Sequence, residues 1–179
     1  MDSIGLRISI LLEYHALLEE GQRSYQLPQK LQGVVVRFCS EQDSESFAGV
    51  IDENELRDNL QKGHMLIAAF QNEVLIGNIW LAFRRVYVPE IEKEIDCRGG
   101  YVWQLFVMPE WRGMDLARTL LEFTLEEAGQ RGKDVVSALV EIDNVPSRRA
   151  FVSAGFEATS MIIFLKFPSL KKVVRKSIV

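Results

Sequence analysis

The sequence lacks the features that mark several classes of protein. It has two cysteines, Cys39 and Cys97, which are too few for a disulfide framework and do not have the spacing of a zinc site. No apolar run reaches the roughly 18 residues of a membrane span, and the net charge of −4 offers no global attraction to nucleic acid. The nucleotide-binding patterns G-x-G-x-x-G and G-x-x-x-x-G-K-[ST] are also absent. We therefore expect inert, packed thiols in a reducing cytoplasm, with no metal, membrane or nucleic-acid partner.

The composition is that of one globular domain with flanking segments, since 47% of the 179 residues are apolar and 26% are charged. The short apolar stretch from Ile8 to Leu12 is not expected to be a signal peptide. Residues 4–20 instead carry a stripe with helical spacing: Ile4, Ile8, Leu11, Leu12, His15 and Leu18. The pattern predicts a helical extension and linker over residues 1–33, a domain over 34–167, and a solvated basic tail over 168–179.

Within the domain, strand and helix patterns follow one another as in an α/β protein. Strands are predicted at Val34–Phe38, Met65–Phe70, Val74–Phe83, Tyr101–Met108 and Val135–Ile142, and a last strand or hairpin is predicted at Phe156–Phe167. Helices are predicted from a capping box at Ser40 and Asp43 to Gly63, over Leu116–Ala128, and from Pro146 to Gly155. The charged segment from Arg84 to Gly100, which includes Arg98, is long for a connection between strands. It either lines a substrate site or is a solvated excursion.

The most informative stretch is the junction between the strand Tyr101–Met108 and the next helix. The strand stops at Pro109, the chain turns through Arg112 and Gly113, and the helix follows at once. A helix that begins this way leaves unpaired N–H groups and positive dipole charge at its first turn. The sequence therefore predicts a seat for a phosphate-bearing ligand.

A second motif follows the next strand: Asn144-x-x-Ser147-x-x-x-Phe151-x-x-x-Gly155-Phe156. In this order and separation, the two motifs resemble those of the GNAT superfamily of N-acyltransferases, and the resemblance covers about residues 34–167. It implies a mixed, mostly antiparallel sheet of six to seven strands with flanking helices. Two central parallel strands would splay apart around the acyl-CoA, and the N-terminal helix would be an addition.

The resemblance also implies a set of site residues. The backbone N–H of Val107 would polarise the thioester carbonyl, Arg112 to Arg118 would cradle the diphosphate, and Asn144 would contact the pantetheine arm. The contacts to acetyl-CoA, or another acyl-CoA, are expected from Leu105, Phe106, Val107, Arg112, Gly113, Met114, Asp115, Leu116, Ala117, Arg118, Asn144 and Phe151. From the residues alone, Asn144 could instead cap the turn before Pro146, and Arg112 could pair with Glu110.

The sequence departs from the family pattern at three places. Asp115 replaces a glycine, and its carboxylate either faces the diphosphate or points to solvent. Phe151 stands where many members have a tyrosine that protonates the leaving thiolate. The strand before Leu105 lacks the family's carboxylate, and Gln104 is either a cleft-lining residue or a satisfied buried amide. The general base is therefore unknown, with candidates at Glu90, Glu94, Asp96, Glu141 and Asp143.

These features lead to two functional hypotheses. The first is an N-acetyltransferase that acts on a small-molecule or peptide amine by direct attack. The second is an acyl-CoA-binding module with little or no catalysis, serving in sensing or partner binding. The amine, the acyl length and the oligomeric state stay open, and a homodimer is compatible with the sequence.

Overall fold

The computed structural model describes residues 7–18, 27–97, 99–167 and 170–178, which form ten strands, three α-helices and short 3-10 helices. The strands are β1 (Arg7–Leu17), β2 (Val34–Cys39), β3 (Met65–Gln71), β4 (Val74–Ala82), β5 (Arg85–Val88), β6 (Lys93–Asp96), β7 (Gly100–Val107), β8 (Val135–Glu141), β9 (Glu157–Phe167) and β10 (Leu170–Ser177). The α-helices are α1 (Glu53–Gln61), α2 (Leu116–Gln130) and α3 (Val145–Ser153), and short 3-10 helices cover Gln29–Leu31, Glu41–Phe47 and Pro109–Trp111.

Eight strands form one sheet in the order β10-β9-β1-β8-β7-β4-β3-β2. All neighbours are antiparallel except β7 and β8, which are parallel. This arrangement confirms the predicted mixed, mostly antiparallel sheet with a central parallel pair. The sheet is larger than the six to seven strands expected, because segments from both flanking regions join it.

The N-terminal segment is a strand, so the predicted helix is wrong. β1 lies between β8 and β9, with Tyr14 opposite Ala138 on one side and Ala158 on the other. Its side chains alternate between the two faces, since Leu12, Tyr14 and Ala16 pack in one core and Leu11 packs in another. A central strand covered on both faces has apolar residues on both sides. In β1 this distribution of apolar residues matches the spacing of a helical stripe, which is why the pattern predicted a helix. Ile4 of the stripe lies outside the described residues.

The basic C-terminal segment is also a strand rather than a solvated tail. β10 pairs along its length with β9 at the edge of the sheet. Its side chains stay exposed, and two of its cations pair with acids: Lys171 Nζ lies 2.5 Å from Glu92 Oε2 and Arg175 contacts Glu13. Its charged edge suits a strand that must not pair with other chains.

The segment Arg84–Gly100 folds into a hairpin of β5 and β6 instead of an open loop. Val86, Val88 and Ile91 are buried against Tyr101 and Phe164. Three apolar side chains spaced among many charges are enough to fix the hairpin on the sheet. Arg98 lies outside the described residues.

Alternate residues of the sheet pack in different cores. Ile67 and Ala69 of β3 face the core under α2 and α3, whereas Leu66 and Ala68 face the core beside α1. Trp80 is fully buried. Elements therefore cover both faces of the central strands, and β7 can present different side chains to each.

The predicted helical region from Ser40 to Gly63 is divided into two helices. The capping box is present, with Ser40 N donating to Asp43 Oδ2 at 2.8 Å, but it begins the 3-10 helix Glu41–Phe47. α1 has its own cap, since Asp52 Oδ1 accepts from Asn54 N and Glu55 N. This break gives α1 its own position beside β7.

Both cysteine thiols are free. Burial raises the pKa of Cys39 and of Cys97 to about 12 in each case. A thiol that stays protonated at neutral pH is a poor nucleophile. The structure thus agrees with the prediction of inert, packed cysteines.

Candidate active site

The site begins where β7 and β8 separate. The two strands pair only at Gly100 with Val136 and Tyr101 with Ser137, and beyond this point β8 continues along β1. The separation opens a cleft of about 630 Å³ between β7, the start of α2 and α3. The splayed parallel pair implied by the sequence resemblance is therefore present.

A β-bulge at Gln104 sets which residues of β7 face the cleft. Gln104 has a φ of 48°, and the register with β4 shifts at this point. Asn78 of β4 supports the bulge, because its Nδ2 donates to Gln104 O at 3.5 Å. Trp103 packs beside the cores on the α1 side, whereas Leu105 packs against the α2 core. Without the extra residue, strand alternation would place Trp103 and Leu105 on the same face.

The backbone of Val107 points into the cleft. Met108 N donates to Ile76 O of β4 at 2.9 Å, and Phe106 O lies on the β4 side close to Gly77. Within one trans peptide group the C=O and the N–H point in opposite directions. Val107 N–H shares a peptide group with Phe106 O, and Val107 C=O shares one with Met108 N–H, so both groups of Val107 face away from β4. The group that the sequence named as the polariser of a carbonyl thus faces the cleft.

The start of α2 forms the opposite wall. The chain reaches it through Gly113, with a φ of 76°, and Asp115, with a φ of 62°. A Cβ at Gly113 would meet nothing within 4 Å, so the loop backbone is open to a ligand. Leu116, Ala117 and Arg118 occupy the first turn, whose N–H groups have no partner within a helix. The open helix N-terminus that the sequence predicted is therefore present, and the binding of a phosphate there stays a prediction.

Arginines add positive charge to this wall. Arg112, Arg118 and Arg149 all line the cleft. Arg112 Nε donates to Val107 O at 3.3 Å, so its hydrogen bond goes to the strand and not to Glu110, the partner weighed from the sequence. The contact fixes the phosphate loop against the edge of β7.

Asp115 lines the cleft with a half-exposed carboxylate that forms an ion pair with Lys30. The two alternatives drawn from the sequence, a carboxylate facing the diphosphate or one facing solvent, did not include this neutralising cation. Lys30 lies in the 3-10 helix Gln29–Leu31, about eighty-five positions earlier in the chain, and no local pattern marks it.

Asn144 lines the cleft and also caps α3. Its Oδ1 accepts from Ser147 N at 3.2 Å, which is the capping role weighed from the sequence. Pro146 occupies the first turn, as predicted. A contact from the Asn144 amide nitrogen to a ligand remains a prediction.

Two expected cofactor contacts lie away from the cleft wall. Phe151 is 3% exposed and packs against Tyr14 and Phe156, with ring centroids 5.7 Å and 4.9 Å away. Met114 is exposed on the loop and is absent from the cleft lining. Phe151, which stands where many family members have tyrosine, therefore packs in the core and does not line the cleft. Leu105, Phe106, Val107, Arg112, Gly113, Asp115, Leu116, Ala117, Arg118 and Asn144 do line the cleft.

A second cavity, of about 340 Å³, lies on the opposite face of β7. Of the candidate bases, Glu90 and Glu94 line it, whereas Asp96, Glu141 and Asp143 line neither space. Gln104 is exposed there, and its Nε2 donates to Glu55 Oε1 at 2.6 Å. Sequence reasoning missed Glu55 and His64, since α1 and the start of β3 reach the cavity only through the fold.

In the described ranges, no helix is long and apolar enough to cross a membrane. The same residues contain no group of three or more histidine, cysteine, aspartate or glutamate side chains that could hold a metal ion.

Solved structures share this fold at low identity. A GNAT-family acetyltransferase from Colwellia psychrerythraea has a TM-score of 0.60 and 15% identity, with 91% of this chain and 57% of that chain covered. A predicted acetyltransferase from Clostridium acetobutylicum, solved with acetyl-CoA, has a TM-score of 0.53 and 20% identity, with 70% of this chain and 91% of that chain covered. The aminoglycoside 6′-N-acetyltransferase of Acinetobacter baumannii has a TM-score of 0.54 and 18% identity, with the same coverage of both chains.

The family comparison is more direct. No curated protein matches the chain. The chain spans less than two thirds of the length of the Colwellia protein and of several other structural relatives. The model of the acetyltransferase (GNAT) family nevertheless matches residues 25–156, which is most of the chain. The chain therefore belongs to the acetyltransferase (GNAT) family, whose general reaction is acyl transfer from acetyl-CoA.

Proposed function

We propose that this protein transfers an acyl group, most simply acetyl from acetyl-CoA, to a primary amine that attacks the thioester directly. The observation that carries the proposal is the convergence of Val107 N–H and the α2 N-terminus on one cleft. One group suits a carbonyl oxygen that gains negative charge, and the other suits a diphosphate.

The cleft fits such a ligand in shape and in chemistry. Its volume of about 630 Å³ lies within the range of small-molecule sites. The open backbone at Gly113, the first turn of α2 and the arginines supply donors and positive charge for phosphate. The exposed edge of β7 from Leu105 to Val107 supplies strand hydrogen-bonding groups for the amides of a pantetheine arm.

When bound, the acyl-CoA supplies an activated acyl carbon and a thiolate leaving group. The protein's part is to hold that carbon in place and to stabilise charge on its oxygen through Val107 N–H. Arg112 keeps Val107 in position through its carbonyl. A buried Phe151 need not stop turnover, because a thiol with a pKa of roughly 8.5 leaves readily as the thiolate.

The experiment is calorimetric titration with acetyl-CoA, followed by release of free thiol in the presence of a panel of amines. We expect binding in the native chain and amine-dependent thiol release with at least one member of the panel. An Arg112→Ala variant should bind acetyl-CoA more weakly, since it loses both a cation of the cleft and the contact to Val107. A native chain that binds no acetyl-CoA would overturn the proposal.

A second candidate function is an acyl-CoA-binding module with little catalysis. The observations that favour it are Phe151, which has no hydroxyl to protonate a leaving thiolate, and β7, which contains no carboxylate. Binding of acetyl-CoA without thiol release across the amine panel would support this function over the first. A cytoplasmic location and the choice between a small-molecule and a peptide amine remain predictions.

A further inference from the structure

The second cavity and the cleft lie on opposite sides of β7. Gln104 lines the second cavity, and its neighbour Leu105 lines the cleft. Leu139 of β8 also lines the second cavity, so the cavity lies beside the gap that opens between β7 and β8. A molecule held there would face this gap from the side of β7 opposite α2.

Resting on the proposed function, we infer that the second cavity binds the acceptor as a primary ammonium on a short, flat carbon skeleton, and that Glu55 receives the amine's proton. Glu55 contacts the bulge directly, because its Oε1 accepts a hydrogen bond from Gln104. α1 therefore supplies the carboxylate that β7 itself lacks.

The charges around the cavity favour a cation. Carboxylates from α1 and from the β5–β6 hairpin line it, namely Glu55, Asp58, Glu90 and Glu94, against the cations Lys62 and Arg85. Lys62 is engaged by Asp58, with Nζ 2.5 Å from Oδ2. Burial lowers the pKa of His64, so its ring adds no positive charge at neutral pH. Glu55, Glu90 and Glu94 then remain against the single cation Arg85. This excess of negative charge attracts an ammonium group.

The aromatic lining favours a flat skeleton. Trp103 stacks between Trp80 and Tyr101, with centroids 5.7 Å and 6.1 Å away, and His64 contacts its ring edge-on. Trp103 is therefore held rigidly in the cavity lining, and Tyr87, whose side chain is exposed, supplies a free ring face to the same cavity. Aromatic faces bind both flat apolar groups and cations.

The proton balance gives Glu55 its role. An alkyl ammonium with a pKa of about 10.4 must lose a proton before its nitrogen can attack. That proton passes to Glu55 and then to water. As the C–N bond forms and the C–S bond breaks, the second proton leaves the nitrogen with the departing sulfur, which yields the amide and the free thiol.

Indole N–H resonances test this inference separately from the proposed function. The chain has three tryptophans: Trp111 lines the cleft, Trp103 lines the second cavity and Trp80 is buried. With tyramine as the probe, we expect the Trp103 resonance to shift, and with acetyl-CoA the Trp111 resonance. The anion 4-hydroxyphenylpropionate, similar in size to tyramine, should leave Trp103 unchanged.

The variant Glu55→Gln is matched by Glu53→Gln on the same helix, since Glu53 pairs with Arg57 outside this cavity. We expect Glu55→Gln to weaken tyramine binding at least tenfold and to lower amine-dependent kcat at least tenfold, with acetyl-CoA binding retained. Glu53→Gln should change neither quantity. Equal binding and turnover in Glu55→Gln, or a Trp103 resonance that ignores tyramine, would overturn the inference. If acetyl-CoA does not shift the Trp111 resonance, the result would instead overturn the proposed function.

Discussion

At the scale of single residues, Asp115 shows how the fold accommodates a departure from the family motif. The position needs a left-handed backbone, with a φ of 62°, which glycine adopts without strain and aspartate tolerates. The carboxylate that results is compensated by Lys30. The loop thus keeps a left-handed backbone at this position, and an ion pair neutralises the carboxylate that Asp115 adds to the wall of the cleft.

Replacing Asp115 by glycine should strengthen acetyl-CoA binding. The change removes a negative charge from the phosphate wall and frees Lys30 to face the ligand, so we expect a gain of about three- to tenfold, or roughly 0.7–1.4 kcal/mol. Calorimetry of the two proteins measures it directly. Lys30→Ala, which leaves the carboxylate uncompensated, should weaken binding. Unchanged affinity in both variants would show that neither side chain faces the ligand.

Phe151 differs from Asp115, because it belongs to a family motif but does not line the cleft. Restoring the family's tyrosine by Phe151→Tyr should not raise kcat, since the side chain is 3% exposed among Tyr14 and Phe156. The added hydroxyl should lower the free energy of unfolding by about 1–3 kcal/mol if it finds no hydrogen-bond partner. Urea unfolding and initial rates check both statements. A rise in kcat of tenfold would place the residue at the reacting sulfur.

At the scale of elements, local patterns predicted the parts of the fold that are determined locally. The strands β2, β3, β4, β7 and β8, the phosphate-loop helix and the Pro146 start of α3 follow from alternation, caps and turns. β1 could not be predicted this way, because it becomes a strand by pairing with β9, about 150 positions later. β10 follows β9 directly, but its exposed residues, half of them charged, lack the apolar alternation that indicates a strand. The β5–β6 hairpin depends on a few apolar side chains against distant Phe164.

Glu92 ties the tip of that hairpin to the strands at the edge of the sheet. Hydrogen bonds from Lys166 and Lys171, at 2.6 Å and 2.5 Å, lower the pKa of Glu92 to about 2. Because the pKa is lower in the folded state, this contribution is present above about pH 4.5 and is lost as the pH falls toward 2. Glu92→Gln should therefore unfold at lower denaturant concentration than native protein at neutral pH. That difference should shrink toward pH 2, and a constant difference would contradict the account.

Gly77 keeps β4 close to both β7 and α2. A Cβ there would lie 2.9 Å from Phe106 O and 3.3 Å from side-chain atoms of Leu116 and Leu120. Gly77→Ala should displace the strand edge that carries Val107, cost about 1–3 kcal/mol of stability and weaken acetyl-CoA binding. Thermal unfolding and calorimetry test it, with Gly49→Ala, at a left-handed turn far from the cleft, as a control for loss of stability alone. Native affinity in Gly77→Ala would contradict the role.

At the scale of the whole molecule, β7 separates a cleft built from neighbouring sequence and a cavity built from distant sequence. The cleft could be predicted, because residues 105–118 are contiguous and Asn144 follows in a recognisable motif. The second cavity joins α1, the β5–β6 hairpin and β7. Glu55 and Gln104 are 49 positions apart, and no spacing rule links them. The proposed acyl-donor side of the site can therefore be predicted from the sequence, whereas the proposed acceptor side becomes visible only in the fold.

The central claim is that the cleft binds acetyl-CoA through the phosphate wall and the edge of β7. The measurement that tests it most directly is calorimetric titration of the native protein with acetyl-CoA. The account predicts one site per chain with a dissociation constant on the order of micromolar, equivalent to about −8 kcal/mol. The absence of binding, in protein whose cooperative unfolding shows that it is folded, would contradict it.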